Sequence, residues 1–488
     1  MVGIAKLVLQ IINSPSALLA VATVFTAAFV TYRLFFGPLS KIPGPWITAI
    51  TGYYVMYQEF KGDRTVWLDG LHVKYGPVVR VSPAEVSFNS VEALKEIYGI
   101  KSQYSKSHFY DMFVYYNERN TFTSLDRASH TASKRLVADR YAKTYVMQDT
   151  VAQKIQRHAS AFLTQVQKSP FDVDVYTWLH YYALDCITNH LYGQRGTKTL
   201  SESEHRGLVY DLSGVKHRTR LYMIYYFNAL MAIKEWVRAT LRKLEGNSAE
   251  FHVRGSQLND YGKKSVEGFR TDEIEKDKVS TCSKLLQVVP DNENRIAAEC
   301  MDHLVAGVDT TGDAMCITMW RISTPEYVHI QDRLLEELKG IEYAFDPATG
   351  TASIAELDKL PYLDAVLHEG LRWRPPVPMT LFRVVPPGGA TIDGFKIPAA
   401  LVEECALATT KSPMPPSKFD PSIVWNSYLT LAQYSIAMVE MKILMGAVYR
   451  QYRTLAVPEC TEESMRMDDQ LTSGVPYALT CKLSFEKR

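Results

Sequence analysis

Three consecutive polar residues, Asp309, Thr310 and Thr311, stand inside an apolar run, "HLVAGVDTTGDAMCITMW", His303 to Trp320. A carboxyl or hydroxyl buried in such a run is costly without a partner. Two accounts compete. A threonine can bond back to the carbonyl four residues earlier and leave a satisfied polar kink. Alternatively, an acid beside two alcohols can hold or move a proton at a reacting centre. Gly307, just before them, would let something bulky approach. His303, about two turns earlier, is a further candidate, although a lone histidine is more often structural. A second pair lies in "ELDKLPYLDAVLHEGLRWRPPVP", Glu356 to Pro378, where Glu369 and Arg372 share a helix face at i,i+3. On a surface such a pair is worth only a few tenths of a kcal/mol.

The elements that position these residues are mostly helical. Periodicity predicts helices over 145–167, 173–191, 203–210 and 221–244, then a long one from about 292 to 321, and others over 325–339 and 360–373. "YGPVVRVSPAEVSFNS", Tyr75 to Ser90, reads as two short strands joined by a turn, and turn-rich extended chain follows Pro375. The polar stretch Gly246 to Ser280 reads as a mobile surface connection.

The chain has 488 residues, and its net charge of +1 gives no global field for nucleic acid. Seven cysteines are dispersed with no CxxC pair, which argues against a disulfide framework or a zinc site, and no other metal-ligating cluster is expected. Leu7 to Tyr32 carries no charge, long enough for a spanning helix. Arg33, Lys41, Lys61 and Arg64 follow it and favour a cytosolic body. "KIPGPW", Lys41 to Trp46, is a stiff hinge. The expectation is a single-pass membrane protein, with an anchor over residues 1–40 and a body over 41–488.

Taken together, "KIPGPW", "HVKYGPVVRVSP", "AGVDTT", "HEGLR", "PPGGATIDGFKIP" and the terminal "SIAMVEMKIL" resemble a cytochrome P-450 of the fungal secondary-metabolism type, essentially end to end. The resemblance implies a mainly α fold with a small β-sheet around a buried haem, in the endoplasmic reticulum membrane. Asp309 and Thr310 would match the acid–alcohol pair that delivers protons to bound oxygen. Glu369 and Arg372 would match the ion pair bracing the haem core. His130 and Arg135, in "HTASKR", would fall where haem propionates are held, although one His and one Arg near a helix are more often surface.

Three departures surround that cofactor. The family's Phe-Gly…Cys-x-Gly ligand loop has no counterpart between Leu431 and Ser435, and the nearest cysteines are Cys405 and Cys460. Ile423 and Val424 stand where an arginine before an aromatic would complete the brace with Glu369 and Arg372. Thr410-Lys411 replaces a His-Arg pair. The preferred expectation is therefore an enzyme using no cofactor, which performs a redox-neutral cycloaddition, cyclisation or isomerisation of a lipophilic, terpenoid-type intermediate in the inherited pocket. Asp309, Thr310 and Thr311 would be its catalytic groups. "TRLYMIYYFNALMAI", Thr219 to Ile233, is rich in aromatics and Met that suit such a ligand, although ordinary core reads the same way. Two alternatives stay open. One is a haem-thiolate monooxygenase served by a cytochrome reductase, its ligand loop lost from the gene model. The other is a non-catalytic membrane partner of pathway oxygenases.

Overall fold

The computed structural model describes residues 14–169, 172–212, 215–227, 229–230, 233–234, 237, 240, 257–271, 280–378, 380–399, 404–407, 419–421, 434–469 and 474–488. The chain forms two compact units, residues 1–107 with 380–411, and residues 108–379 with 412–488.

The first unit begins with α1, Pro15–Thr31, capped by the Ser14 hydroxyl, which accepts from the Ala17 N–H, and begun by Pro15 at a position where no N–H is needed. With the turn that follows, the helix runs from Pro15 to Phe36 at a mean hydropathy of 1.8, and none of it is buried. By length and composition it can cross a membrane. Behind it lie the two predicted strands, β1 (Val78–Ser82) and β2 (Glu85–Phe88), antiparallel with Val78 opposite Phe88. They extend into a five-stranded sheet with β3 (Ser105–Lys106), β5 (Arg383–Val384) and β6 (Glu404–Leu407), in the order β1-β2-β6-β5-β3. Val78, Val86, Phe88, Ile97, Val385 and Ile397 fill one core beside it. Arg64 is buried and pairs with both Glu59 and Glu85, so its charge is matched inside that unit.

The second unit is helical. Its main elements are α2 (Arg127–Val137), α3 (Asp149–Lys168), α4 (Val175–Tyr192), α5 (Val215–Tyr226), α6 (Gln257–Thr271), α7 (Glu293–Ser323), α8 (Pro361–Trp373) and α9 (Tyr434–Gln451). A small sheet of β4 (Val173–Asp174), β7 (Tyr452–Ala456) and β8 (Lys482–Lys487) closes one end. The predicted centres of α3, α4, α7 and α8 agree with these ranges. α6 does not agree with the reading of 246–280 as a connection: Leu258, Val266 and Phe269 recur on one face and bury themselves, and that apolar stripe outweighs the polar composition.

The long α7 starts where the Asn292 side chain accepts from the Arg295 N–H, with Glu293 in the first turn. It packs most closely on α4, because two of its glycines take the place of side chains. A Cβ on Gly307 would sit 2.5 Å from Ile187 Cγ1, and one on Gly312 would sit 2.9 Å from the His180 ring. The bulky group that Gly307 admits is thus Ile187 of α4. Gly307→Val is expected to push the two helices apart and cost about 1–3 kcal/mol; a denaturation midpoint equal to that of the parent would contradict this packing.

Candidate functional site

α7 is buried along most of its length, but Val305, Ala306, Gly307 and Thr310 form a half-exposed stripe in its middle. Thr310 ends that stripe and its hydroxyl donates to the Ala306 carbonyl at 2.6 Å, the back-bond that was one of the two competing accounts of this run. Thr310 is therefore a satisfied alcohol at an accessible position. Asp309, one residue earlier, turns into the protein and is buried. Burial pushes its carboxyl up to about 7, the neighbouring Asp313 adds to that, and His180 opposes it. A carboxyl poised there can both hold and release a proton near neutral pH.

Asp313 lies one turn beyond Asp309, beside His180 of α4, with Nε2 to Oδ1 at 3.4 Å and both side chains almost fully buried. His180 Nδ1 lies 2.7 Å from the Tyr176 carbonyl, so with a proton on each nitrogen the ring donates to the carbonyl and faces Asp313 with Nε2. Burial pulls the imidazole down, but Asp313 outweighs it and the pKa is raised. Neither Asp313 oxygen accepts a hydrogen bond of good geometry, so the ion pair is what offsets its burial.

Thr311 points away from Thr310, as a 100° step along a helix requires, and sits beside the carboxyl of Glu440 on α9. Glu440 is buried, which pushes it up to about 8, the Thr311 hydroxyl opposing. An acid whose pKa is raised on folding adds most to stability below its unfolded value, 4.5, and loses that contribution as pH rises through about 8. Each unit between those values is worth about 1.4 kcal/mol. Glu440→Gln, which keeps the shape of the neutral acid, is expected to flatten the fall in stability between about pH 4.5 and pH 8. Parallel pH curves for parent and variant would contradict that.

α8 carries the other predicted pair. Arg372 donates to Glu369 from Nε at 2.5 Å and from Nη2 at 2.7 Å, a two-pronged contact, with Glu369 fully buried. The backbone N–H of Asp420 donates to the same carboxylate at 2.7 Å. The brace was expected to lack its third member because Ile423 and Val424 replace an arginine; on Glu369 a main-chain amide fills a third position. Ile423, Val424 and Thr410-Lys411 themselves lie outside the described residues.

The other candidates fall elsewhere. His303 is buried against Tyr141, ring centroids 4.7 Å apart, with Nε2 3.4 Å from Glu299 Oε1. Glu299 in turn accepts from the Thr121 backbone and hydroxyl. That cluster joins α7 to the chain before α2 and does not reach the Thr310 stripe. His130 is half-buried and Arg135 exposed on α2. Of 219–233, the α5 portion packs as aromatic core: Tyr225 meets the Phe109 ring edge-on at 5.4 Å, in a group with Tyr110, Phe113 and Phe122. Sequence reading missed Asp313, His180 and Glu440. The signal for two of them was present: Asp313 repeats Asp309 at i+4 in an apolar helix, and Glu440 interrupts "SIAMVEMKIL".

An apolar stripe ended by a hydroxyl is chemically compatible with one face of a flat macrocycle, and Glu369 and Arg372 are paired on α8. A thiolate to ligate its iron is a different matter. Among the described residues Cys186, Cys282, Cys300, Cys316 and Cys481 are buried in the core and Cys460 lies in the loop after β7. The sequence has no cysteine between Ala406 and Glu459.

Residues 42–406 match the family model described as Cytochrome P450. The chain is 26% identical over 405 residues to Cytochrome P450 monooxygenase atnE of Emericella nidulans, covering 77% of this chain and 72% of that protein. It is 29% identical over 381 residues to Cytochrome P450 monooxygenase BipB of Cochliobolus sativus, covering 75% and 72%. With Pisatin demethylase of Fusarium vanettenii the identity is 28% over 383 residues, covering 75% and 70%. The expectation of an enzyme without a cofactor is corrected by these matches: family and relatives alike point to haem. With 42–406 of its 488 residues matched, and a mainly helical fold carrying small sheets, the chain belongs to the cytochrome P450 family.

Proposed function

We propose that the protein is a membrane-anchored haem-thiolate monooxygenase of fungal-type secondary metabolism, oxidising a lipophilic intermediate such as a terpenoid. An anchor over residues 1–40 would hold a cytosolic body of 41–488 at the endoplasmic reticulum, where a membrane-bound reductase supplies electrons. The observation that carries this reading is the pairing of a buried acid titrating at about 7 with an alcohol on the accessible stripe of the same helix.

When bound, haem supplies the activation of dioxygen that no side chain here can perform. The chain's own residues do the rest. Thr310 presents its hydroxyl on the stripe, and the back-bond to Ala306 fixes where that oxygen sits. Asp309 stores the proton behind it and recovers it from solvent near neutral pH. Val305 and Ala306 keep the stripe apolar, so a lipophilic substrate displaces water there. Glu369 ties α8 to the main chain at Asp420, with Arg372 matching its charge. His130 and Arg135 remain candidates for the propionates, and Thr311 supports α9 through Glu440 rather than touching substrate. The thiolate would come from a ligand loop between Leu431 and Ser435, which this sequence lacks.

The test is a host that makes the pathway intermediate, carrying the cloned cDNA and grown under isotopically labelled dioxygen. One labelled oxygen atom in the product is expected. A product isomeric with its precursor and free of label would overturn oxygenation and favour a redox-neutral cyclisation in the same pocket.

A further inference from the structure

Three sulfurs outside the site form a chain from the surface to the central helix. Cys460 follows β7 in a turn closed by its N–H to the Val457 carbonyl at 2.9 Å, and it is partly exposed. Cys481 immediately precedes β8 and is fully buried, its N–H bonded to Asp174 Oδ1 at 2.9 Å and its carbonyl accepting from Val175 at 2.7 Å. The two thiols lie close enough to shift each other's ionisation, and Cys481 does the same to Cys316 of α7, which is buried. The Lys482 N–H donates to Cys460 Sγ at 3.0 Å, which pins that sulfur against the first residues of β8.

We propose that Cys460 and Cys481 are a peroxide-sensitive thiol pair that closes into a reversible disulfide between the β7 loop and β8. The chemistry needs an accessible sulfur with thiolate character and a resolving thiol beside it. Cys460 has both features. Contact with the Cys481 thiol and the Lys482 N–H lower it to about 7, against burial. Cys481, buried and held well above its ordinary value, stays a thiol until Cys460 has reacted. Hydrogen peroxide is the oxidant. The Cys460 thiolate attacks one peroxide oxygen, the O–O bond breaks, hydroxide leaves and takes a proton to become water, and Cys460 becomes a sulfenic acid. The Cys481 sulfur then attacks Cys460, the S–O bond breaks, and the hydroxyl leaves as a second water with the proton Cys481 gives up. Two thiols lose two electrons in all, and one peroxide becomes two waters.

The bond would act on α7 through the loop it fixes. Trp320 of α7 donates from its indole to the Cys460 carbonyl at 3.1 Å, and Arg321 pairs with Glu462 at 2.5 Å. Oxidation would therefore stiffen the grip on the C-terminal turns of the helix that carries Asp309. The buried pair Cys282 and Cys300 has the same two thiols but no exposed member, and serves as an internal comparison.

Trypsin separates the partners, because cleavage at Arg453, Arg466 and Lys482 gives peptides 454–466 and 467–482 with one cysteine each. The reduced full-length protein is treated with hydrogen peroxide, blocked with N-ethylmaleimide and digested without reductant. The expected result is that most of peptide 454–466 is linked to 467–482, two hydrogens lighter than the pair, and is released by dithiothreitol, while Cys282 and Cys300 are alkylated. Cys481→Ser should leave a Cys460 sulfenic acid that dimedone captures. Cys460 over-oxidised with Cys481 still alkylated, Cys481 linked instead to the Cys316 peptide, or equal oxidation of Cys282 and Cys300 would each overturn the proposal.

Discussion

Asp309→Asn is expected to lower product formation by about 100-fold or more while leaving the protein folded, which is the usual scale for losing a positioned proton donor. The amide keeps the size of the neutral acid but cannot release a proton. The pH profile gives the sharper readout. The carboxyl titrates at about 7 instead of the ordinary 3.8 because it is buried and faces Asp313. Turnover that needs the protonated form should thus fall as pH rises through about 7, and the variant's residual rate should lose that limb. The same group bears on stability with the same sign: its contribution is full below 3.8 and is lost as pH rises through about 7. Thr310→Ala separates hydroxyl from acid, since it removes the oxygen on the stripe and leaves Asp309 in place. Unchanged rates in both variants would remove the pair from the mechanism.

The second large effect concerns folding. Asp313→Ala leaves a buried imidazole without its partner, and breaking such a pair is expected to cost about 3–5 kcal/mol. Replacing both residues together, as His180→Phe with Asp313→Leu, should recover much of the loss, because two apolar groups leave no charge to match. A double-mutant cycle read by urea unfolding checks this. Additive losses in the double variant would mean that the 3.4 Å contact contributes no coupling.

Long periodic segments made the helical frame legible, and α7 is the clearest case: its Asn292 start and its apolar run both show in the chain. The acid and alcohols at 309–311 were legible too, because polar groups in an apolar helix demand an account. What hid from sequence were partners supplied by other elements. Nothing near position 180 marks it as the counter-charge of Asp313, which depends on Gly312 leaving room for the ring. Nothing in the chain shows that the Asp420 amide would turn toward Glu369, since main-chain donors have no residue type. α6 was hidden for a different reason: Leu258, Val266 and Phe269 are few and widely spaced in a polar stretch, and only burial against the rest of the unit reveals the stripe. The expectation of an enzyme without a cofactor came from three departures around that cofactor, the missing loop, the absent arginine at Ile423 and Val424 and the replaced His-Arg pair, and the family match over 42–406 outweighs it.

The most direct test of haem-thiolate oxygenase function is an absorption spectrum. The protein is expressed from cDNA sequenced across Phe419 to Met441, supplied with haem, reduced, and compared with and without carbon monoxide. The predicted result is an inserted cysteine loop between Leu431 and Ser435 and a carbon monoxide band shifted as thiolate ligation requires. A transcript identical to this sequence, giving well-folded protein with no haem band, would contradict it.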